Sequence, residues 1–340
     1  MLLLSYIVPV FNSSKYLGKC LDSIMDQGLQ KDQYEIILID DGSTDNSLDI
    51  CHGYQEKYNF IKVISQENSG VASARNAGLT KAEGKYVCFV DSDDYLTSNN
   101  ISAIIDEIGD SEAKLIRFWM IIMEEGEEEP LYQKGIINYE GKAFEYVKRF
   151  GFYTFCVSFL YDRLWLQESM IRFEPFKMAE DYLFISKLLL RNPSVISTTY
   201  RTYNYVKHSS SATGNRSPEH AKICAKHLFS VVDSLMTYSD KLSIDDRIKG
   251  LLAQSAQGKM RAFISRVLSS NISVPEFRMM ISRLKELSVL PTRLDSEGKK
   301  QKIIYRGINL ISAFPSLLLP LRFLYTRLFI PFIFSHISKN

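Results

Sequence analysis

The chain has 340 residues, of which 46% are hydrophobic and 24% are charged, and its formal net charge is +2. This composition is typical of a globular protein and excludes a disordered chain, and so small a charge gives no argument for nucleic acid as a partner. The five cysteines are scattered without metal-ligand spacing, which indicates reduced thiols in a cytosol.

Strand and helix patterns alternate over the first third of the chain, which predicts repeated βαβ units. The apolar start of the chain reads as a first strand and not as a signal sequence, because no basic residue precedes it and Pro9 ends it. The predicted strands are 3–8, 35–39, 60–65, 85–90 and 114–123. The predicted helices are 15–27, 45–56 with Ser43 or Thr44 as N-cap, 70–82 and 99–108.

The following residues show a looser pattern. The acidic patch 124–129 predicts an exposed turn, and the segments 139–150 and 155–160 are expected to be helical and extended, respectively. A helix is predicted over 180–191 and a strand over 195–206, and only helices are expected from Ser217 onward. Turn residues cluster at 214–217, which predicts a domain of residues 1–215 and a helical extension of 216–340.

Two acidic clusters each follow a predicted buried strand. The carboxyl ends of strands in an open α/β sheet border one crevice, so both clusters are expected to meet there. Crowded carboxylates repel each other unless a cation or hydrogen-bond donors hold them, which favours a hard divalent metal carrying a phosphate ligand. The clusters are Asp40 with Asp41, and Asp91 with Asp93 and Asp94.

Each cluster taken singly also has a structural interpretation. Asp41 and Gly42 form an Asp-Gly turn of the kind that precedes a helix, and Asp93 or Asp94 would cap the helix that follows. An isolated Asp-x-Asp occurs by chance in many chains, so neither cluster alone decides between the two interpretations.

Four motifs, taken in order along the chain, favour the ligand-binding interpretation of both clusters. Together they resemble the inverting family 2 glycosyltransferases, which have the GT-A fold. The resemblance spans about residues 3–210 and is strongest over 3–96. It implies an α/β chain with a Rossmann-like mixed sheet, a nucleotide-sugar half at 1–123 and an acceptor half at 124–215. The motifs are VPVFN from Val8, DDGSTD from Asp40, NSG from Asn68 with ARN from Ala74, and DSDD from Asp91.

The resemblance implies a donor site built by the first half. Pro9 and Phe11 would flank the nucleobase, and Arg75 would support the donor pocket. Asp41 would bind the base or the ribose, and Asp40 would hold the loop.

The resemblance also implies a metal. Asp91 and Asp93 would form the Asp-x-Asp motif, with Asp93 as the more direct ligand of Mn²⁺ or Mg²⁺ bridging the donor diphosphate. Residues 203–211 resemble the family's Tyr-x-Tyr strand and the basic, serine-rich loop after it. His208 or Lys207 of this loop would reach the diphosphate, although a solvated loop histidine is an open alternative.

By the same resemblance, Asp181 would be the general base and Glu180 its orienting neighbour. A sugar hydroxyl is a poor nucleophile, and a positioned carboxylate takes its proton as attack develops. The family often has Gly before this pair, where this chain has Ala179. The alternative is that both acids only favour the N-terminus of a helix.

The implied reaction moves a sugar from a nucleotide-diphosphate donor, a UDP-sugar, to a hydroxyl of a glycan or polyprenyl-linked acceptor, with inversion, for cell-surface polysaccharide. Processive synthases of the family carry a Gln-x-x-Arg-Trp motif, which this sequence lacks, so a non-processive enzyme is expected. A non-catalytic nucleotide- or glycan-binding module of the same fold is the alternative. A Rossmann dehydrogenase is disfavoured because no Gly-x-Gly-x-x-Gly follows the first strand.

The segment 308–337 is apolar, aromatic and basic, and prolines interrupt it. Its longest charge-free stretch, 307–321, has 15 residues, whereas about 20 are needed to span a bilayer. It therefore predicts an interfacial or re-entrant segment and not a spanning helix, peripheral at the anionic inner face of the cell membrane in the cytoplasm. Packing on the catalytic domain or on a second copy in a homodimer remains the alternative.

Overall fold

The computed structural model describes residues 2–127, 134–153, 155–208, 217–291 and 299–324. The chain divides into two compact units, one of Met1–Pro175 with Glu180–Ser211 and one of Phe176–Ala179 with Ala212–Asn340. The predicted boundary at 214–217 falls almost entirely outside the described residues, so the division at 215 stays a prediction.

The first unit contains a sheet of nine strands in its described part, with helices between them. The strands are β1 Leu4–Val10, β2 Tyr34–Asp40, β3 Ile61–Ser65, β4 Tyr86–Phe89, β5 Tyr95–Leu96, β6 Leu115–Glu124, β7 Ile137–Lys142, β8 Phe159–Asp162 and β9 Ser194–Lys207. The helices are α1 Leu17–Met25, α2 Ser47–Lys57, α3 Val71–Lys81, α4 Asn100–Ile108, α5 Ala143–Phe150, α6 Arg163–Glu168 and α7 Glu180–Leu190.

The sheet is parallel in one half and mixed in the other. Its strand order is β3-β2-β1-β4-β8-β6-β9-β5, and β7 pairs with β9 beside this path. The strands β3, β2, β1 and β4 are parallel, whereas β8 is antiparallel to both β4 and β6. Every residue of β1 and β2 is buried, as expected for strands with helices on both faces.

Two predicted segments have a different local structure. The predicted helix 139–150 begins only at Ala143, because the residues before it pair with β9 as strand β7. The predicted extended segment 155–160 contains a 3₁₀ turn, Cys156–Ser158, ahead of β8. In both cases pairing with a distant strand outweighs the local pattern. The short elements β5 and α6 were not predicted.

The predicted N-cap of α2 is also wrong. The helix begins at Ser47, whose backbone N–H donates to the Asp45 carboxylate at 2.9 Å. Ser43 and Thr44 instead bind the loop after β1: the backbone N–H of Asn12 donates to Ser43 at 3.1 Å, and that of Thr44 donates to the Asn12 amide oxygen at 2.7 Å.

The described part of the second unit is helical, as the pattern from Ser217 predicts. Side chains of Ser217, Asp245 and Ser273 cap three of its helices, each accepting a bond from a backbone N–H of the first turn. The helices are α8 Pro218–Asp240, α9 Asp246–Leu268, α10 Val274–Glu286, α11 Lys299–Ala313 and α12 Leu318–Leu324.

The described part of the apolar C-terminal segment forms a bent pair of helices. Among the described residues, no single helix has the length and hydropathy of a membrane span. The pair Ile304–Ala313 and Pro315–Phe323, bent by 111° at the break between them, passes the same criterion together. Residues 325–337 of the predicted interfacial segment lie outside the described residues.

Candidate active site

The candidate site lies at the carboxyl edge of the parallel strands. Val10 is paired with Asp40 across β1 and β2, and Ile7 is paired with Phe89 across β1 and β4. The residues that follow these three strands therefore leave the sheet at one edge, where open α/β sheets bind their ligands.

The first acidic cluster is buried and saturated with hydrogen bonds. Asp41 is 3% exposed, and its carboxylate accepts from the Gln66 amide at 2.7 Å and from the backbone N–H groups of Ser69 and Gly70 at 2.9 and 2.8 Å. These bonds hold the loop that opens α3. Asp40 accepts from Ser65 at 3.3 Å and is likewise buried.

The loop after β1 presents an aromatic ring next to this cluster. Pro9 is buried within β1, whereas Phe11 is 48% exposed. Asn12 takes the left-handed conformation, with φ of 48°, and binds the loop at Ser43 and Thr44. The exposed Phe11 ring is thus the part of this loop that can contact a ligand.

Arg75 joins the second acidic cluster to Glu180, the predicted neighbour of the general base Asp181. The side chain of this α3 residue is 4% exposed, and its guanidinium binds Asp91 at 2.7 Å and Glu180 at 2.9 Å. The Phe173 ring lies 5.2 Å from its Cζ atom. One buried cation thus holds Asp91 and Glu180, 89 positions apart in the sequence, in a single network.

Asp93 is bound by the predicted loop histidine. His208 Nε2 lies 2.8 Å from Asp93 Oδ2, and the side chains are 6% and 37% exposed, respectively. The ring of Tyr16 lies against His208, with the ring centroids 4.7 Å apart. Partial burial raises the pKa of Asp93, the charge of Asp91 adds to this, and the bond from His208 opposes it.

Asp94 is the most deeply buried member of the cluster. It accepts from the Tyr203 hydroxyl at 2.6 Å and from the backbone N–H of Val206 at 2.8 Å. Burial, with the charges of Asp91 and Asp93, raises its pKa to about 8. Tyr203 also accepts from the backbone N–H of Asp91 at 3.1 Å, so β9 holds the cluster from its other side.

Glu180 and Asp181 occupy the first turn of α7, where the positive end of the helix dipole favours carboxylates. Glu180 is bound to Arg75, and Asp181 Oδ1 accepts from the backbone N–H of Tyr182 at 2.6 Å. Ala179 has φ of 63°, the left-handed region that glycine adopts without strain. The alanine therefore keeps the backbone conformation for which glycine would be the usual choice.

The residues suit a divalent cation only together with a ligand. Among the described residues, no group of three or more His, Cys, Asp or Glu side chains is placed to hold a metal ion. Asp91 and Asp93 nevertheless supply hard oxygen donors. Burial first, and then repulsion among the neighbouring carboxylates, raises the pKa values of Asp93 and Asp94, and a cation would offset that repulsion. Such a site would need further oxygen ligands from a bound phosphate.

The family model for "Glycosyl transferase family 2" matches residues 5–175, half of the chain. The chain belongs to glycosyl transferase family 2. The matched range contains the donor-side residues described above and ends before Glu180 and Asp181.

Two curated relatives are similar to parts of this family 2 glycosyltransferase. It is 41% identical over 115 residues to glycosyltransferase GlyG of Streptococcus pneumoniae, covering 34% of this chain and 38% of GlyG. It is 32% identical over 231 residues to the poly(ribitol-phosphate) beta-N-acetylglucosaminyltransferase TarS of Staphylococcus aureus, covering 62% of this chain and 38% of TarS. The chain thus spans well under half the length of these relatives.

Solved structures confirm the predicted GT-A fold. The structure of TarS 1-349 in complex with UDP-GlcNAc matches 94% of this chain and 92% of that chain, with a TM-score of 0.65 and 23% identity. A mannosyltransferase from Pyrobaculum calidifontis in complex with GDP-Man and Mn²⁺ matches 94% of this chain and 86% of that chain, with a TM-score of 0.51 and 14% identity.

Three contacts were not predicted from the sequence: the bond of Tyr203 to Asp94, the packing of Tyr16 on His208 and the placement of Phe173 beside Arg75. All three residues are aromatic. Tyr203 belongs to the Tyr-x-Tyr segment that resembles the family, but the sequence does not indicate Asp94 as its partner. Tyr16 and Phe173 lie outside the recognised motifs, and no local signal separates them from core aromatics.

Proposed function

We propose that this family 2 glycosyltransferase is a non-processive, inverting enzyme that transfers a sugar from a UDP-sugar to a hydroxyl of a cell-surface glycan or polyprenyl-linked acceptor. The observation that carries the proposal is the pairing of one guanidinium, that of Arg75, with two carboxylates. One is Asp91 of the second acidic cluster, and the other is Glu180, the neighbour of the proposed base. The UDP-GlcNAc complex of the TarS structure supports a UDP-sugar as donor.

The donor is bound along the carboxyl edge of the sheet. Phe11 offers its exposed ring to the base, and the loops fixed by Asp40 and Asp41 shape the pocket around it. Asp91 and Asp93 would hold Mn²⁺ or Mg²⁺, and the cation would offset negative charge on the departing diphosphate. His208, whose Nε2 lies 2.8 Å from Asp93 Oδ2, would contact the diphosphate.

Asp181 removes the proton from the acceptor hydroxyl. Arg75 binds Glu180, which keeps this neighbouring carboxylate charge-balanced beside the base. Because one carboxylate activates an alcohol that attacks opposite the diphosphate, a single displacement inverts the anomeric carbon.

Asp181→Asn tests the proposal. The amide cannot take a proton, so transfer from UDP-GlcNAc should fall by about 10²–10⁴-fold. The affinity for UDP should change less than twofold, since Asp181 does not hold the nucleotide. Release of UDP with an acceptor mixture measures turnover, and calorimetric titration with UDP measures binding.

Glu168→Gln, which changes an acid at the end of α6, is the matched control and should retain wild-type activity. Equal loss of transfer and of UDP affinity in Asp181→Asn would show that Asp181 is structural. A wild-type protein that binds UDP-GlcNAc and never turns it over would instead support the binding-module alternative.

We further propose that the helical C-terminal region places the enzyme on the anionic inner face of the membrane, from the cytoplasmic side. Four large apolar side chains of the bent pair are 52–58% exposed: Leu310, Phe314, Leu319 and Phe323. Apolar side chains in a basic segment are typical of interfacial binding.

Flotation with anionic vesicles tests this placement. The full chain should float with the vesicles, and Leu310→Ser with Phe314→Ser should lower the bound fraction at least threefold. Met279→Ser, which changes an apolar residue of α10 that is 61% exposed, is the control and should bind as the wild type. A wild-type chain that stays below the vesicles would contradict the placement.

A further inference from the structure

Arg117 of β6 is a buried cation outside the site described above. The residue is 4% exposed, and its Nη1 makes one long hydrogen bond, 3.4 Å, to the Ser197 hydroxyl. Its Nε atom is buried without a hydrogen-bond partner, and no described carboxylate pairs with the guanidinium. Burial of a charge is costly unless an opposite charge and further hydrogen bonds accompany it, so the chemistry of this position suits an anionic ligand.

Aromatic rings surround the guanidinium. Its Cζ atom lies 4.0 Å from the Tyr153 ring centroid and 4.8 Å from that of Trp119. Trp119 is 44% exposed, and Phe155, whose ring contacts Tyr153, is 43% exposed. A cation set between rings with open edges can bind an anion and the sugar or polyol attached to it.

The strand register places this cluster at the edge of the sheet that carries Asp91. In the register, Arg117 is opposite Phe159 in β8, and the next residue of β8, Leu160, is opposite Cys88 in β4. Arg117 is therefore level with Phe89, the last residue of β4, and Trp119 and Asp91 both lie farther along in the same strand direction. Two strand spacings, about 10 Å in all, separate β6 from β4.

The ladder between β6 and β9 is irregular around Trp119, and the extra residues belong to β9. The pairing of β6 with β9 shifts register on both sides of Trp119. Bulges of this kind redirect side chains and recur beside functional sites.

The turn Cys156–Ser158 links the cluster to the predicted base. The Tyr153 hydroxyl lies 3.5 Å from the Ser158 hydroxyl. The turn contacts β6, which carries Arg117, and α7, which carries Asp181 in its first turn. The elements that hold Asp181 and Arg117 thus pack on one short turn.

We propose that Arg117, Trp119 and Tyr153 form an acceptor subsite that binds a phosphate group, and that the acceptor is therefore a phosphate-containing oligomer. The guanidinium pairs with two phosphate oxygens, and Trp119 packs on the adjoining polyol or sugar. The subsite rests on the proposed function, because it takes Asp181 to be the group that receives the acceptor hydroxyl.

Fluorescence of Trp119 tests the subsite directly. The chain has two tryptophans, so Trp165→Phe leaves Trp119 as the sole reporter. A short poly(glycerol phosphate) oligomer should change its emission saturably, and the effect should weaken with salt. Maltoheptaose, a neutral oligosaccharide, should change it at least tenfold less at equal concentration.

Two substitutions separate binding from structure. In the Trp165→Phe background, Arg117→Met should raise the Kd for the phosphate oligomer at least tenfold. Arg117→Lys keeps the charge but loses the planar guanidinium that donates two parallel hydrogen bonds, so it should raise the Kd about threefold. Arg149→Met is the control, since Arg149 is an exposed arginine that lies on the ring of Phe150, and it should bind as the parent.

The stability of Arg117→Met against denaturant distinguishes a ligand-binding role of Arg117 from a structural one. If Arg117 serves a ligand, Arg117→Met should unfold at the same denaturant concentration as the parent or at a higher one, because an unpaired buried charge has been removed. A clearly lower midpoint, or a Kd for the phosphate oligomer unchanged in Arg117→Met, would overturn the subsite.

Hydrolysis of the donor in the absence of acceptor tests the proposed function independently of the subsite. UDP release from UDP-GlcNAc in the absence of the oligomer should be equal in Arg117→Met and wild type. A wild-type chain that neither binds nor hydrolyses a UDP-sugar would refute the proposed function, whereas the Trp119 titration would still report on the phosphate site.

Discussion

The buried carboxyl of Asp94 should make the stability of the folded protein depend on pH. It is 2% exposed and its pKa is raised to about 8, whereas an unfolded aspartate releases its proton near pH 4. Between these values the folded protein holds a proton that the unfolded chain has lost. The free energy of unfolding should therefore fall as pH rises from about 4 to about 8.

Asp94→Asn should remove this dependence. The amide oxygen can still accept from Val206, and the substituted side chain has no proton to lose. Denaturant unfolding in the absence of metal at several pH values should show a slope smaller than the wild-type slope by up to about 1 kcal/mol per pH unit. Asp106→Asn, an exposed position of α4, is the control; equal slopes in Asp94→Asn and wild type would contradict the assignment.

At the scale of elements, Arg75 connects α3, the loop after β4 and the start of α7. Asp91 and Glu180 are 28% and 14% exposed at their side chains, so both are largely withdrawn from water. Loss of the shared cation leaves two carboxylates close together without compensation, and such losses are among the larger effects of single substitutions.

Arg75→Met should lower the free energy of unfolding by about 3 kcal/mol. Adding Glu180→Gln should recover about 1 kcal/mol, because the second substitution removes one uncompensated charge. Arg283→Met is the contrast: that arginine pairs with Asp233 at a half-buried position near the surface, and its loss should cost less than about 1 kcal/mol. A loss for Arg75→Met no larger than for Arg283→Met would show that the network is not structural.

At the scale of the whole molecule, metal and nucleotide are expected to bind cooperatively. The described residues offer no ready group of three metal ligands, so Mn²⁺ alone should raise the melting temperature little. Mn²⁺ with UDP should raise it by more than the sum of the separate shifts, because phosphate oxygens complete the coordination and binding to the folded state adds stability.

Asp93→Asn supplies the control for this thermal-shift experiment. It should keep most of the shift from UDP alone and lose the additional shift from Mn²⁺. Chelation with EDTA should return the wild-type protein to the shift from UDP alone. A full Mn²⁺ shift without nucleotide would contradict the shared site.

Much of the fold could be read from the sequence because its strongest signals are local. The buried strands β1, β2 and β4 are short apolar runs, and the acids that follow them are placed by chain direction alone. Strand ends and helix starts shifted by a few residues, since terminal residues are set by loop contacts such as those of Asn12. The sequence could not predict β7, because β7 exists through its pairing with β9.

Family membership and the position of each acid followed from residue order, because a motif is a property of neighbouring residues and a parallel sheet brings strand ends to one edge. The pairing of those acids was decided by the tertiary structure. Arg75 pairs with Asp91 and Glu180, and His208 pairs with Asp93. Arg117 lies against the rings of Trp119 and Tyr153. Charges are partnered through space, and only the folded chain sets which of them come within hydrogen-bonding distance and which are withdrawn from water.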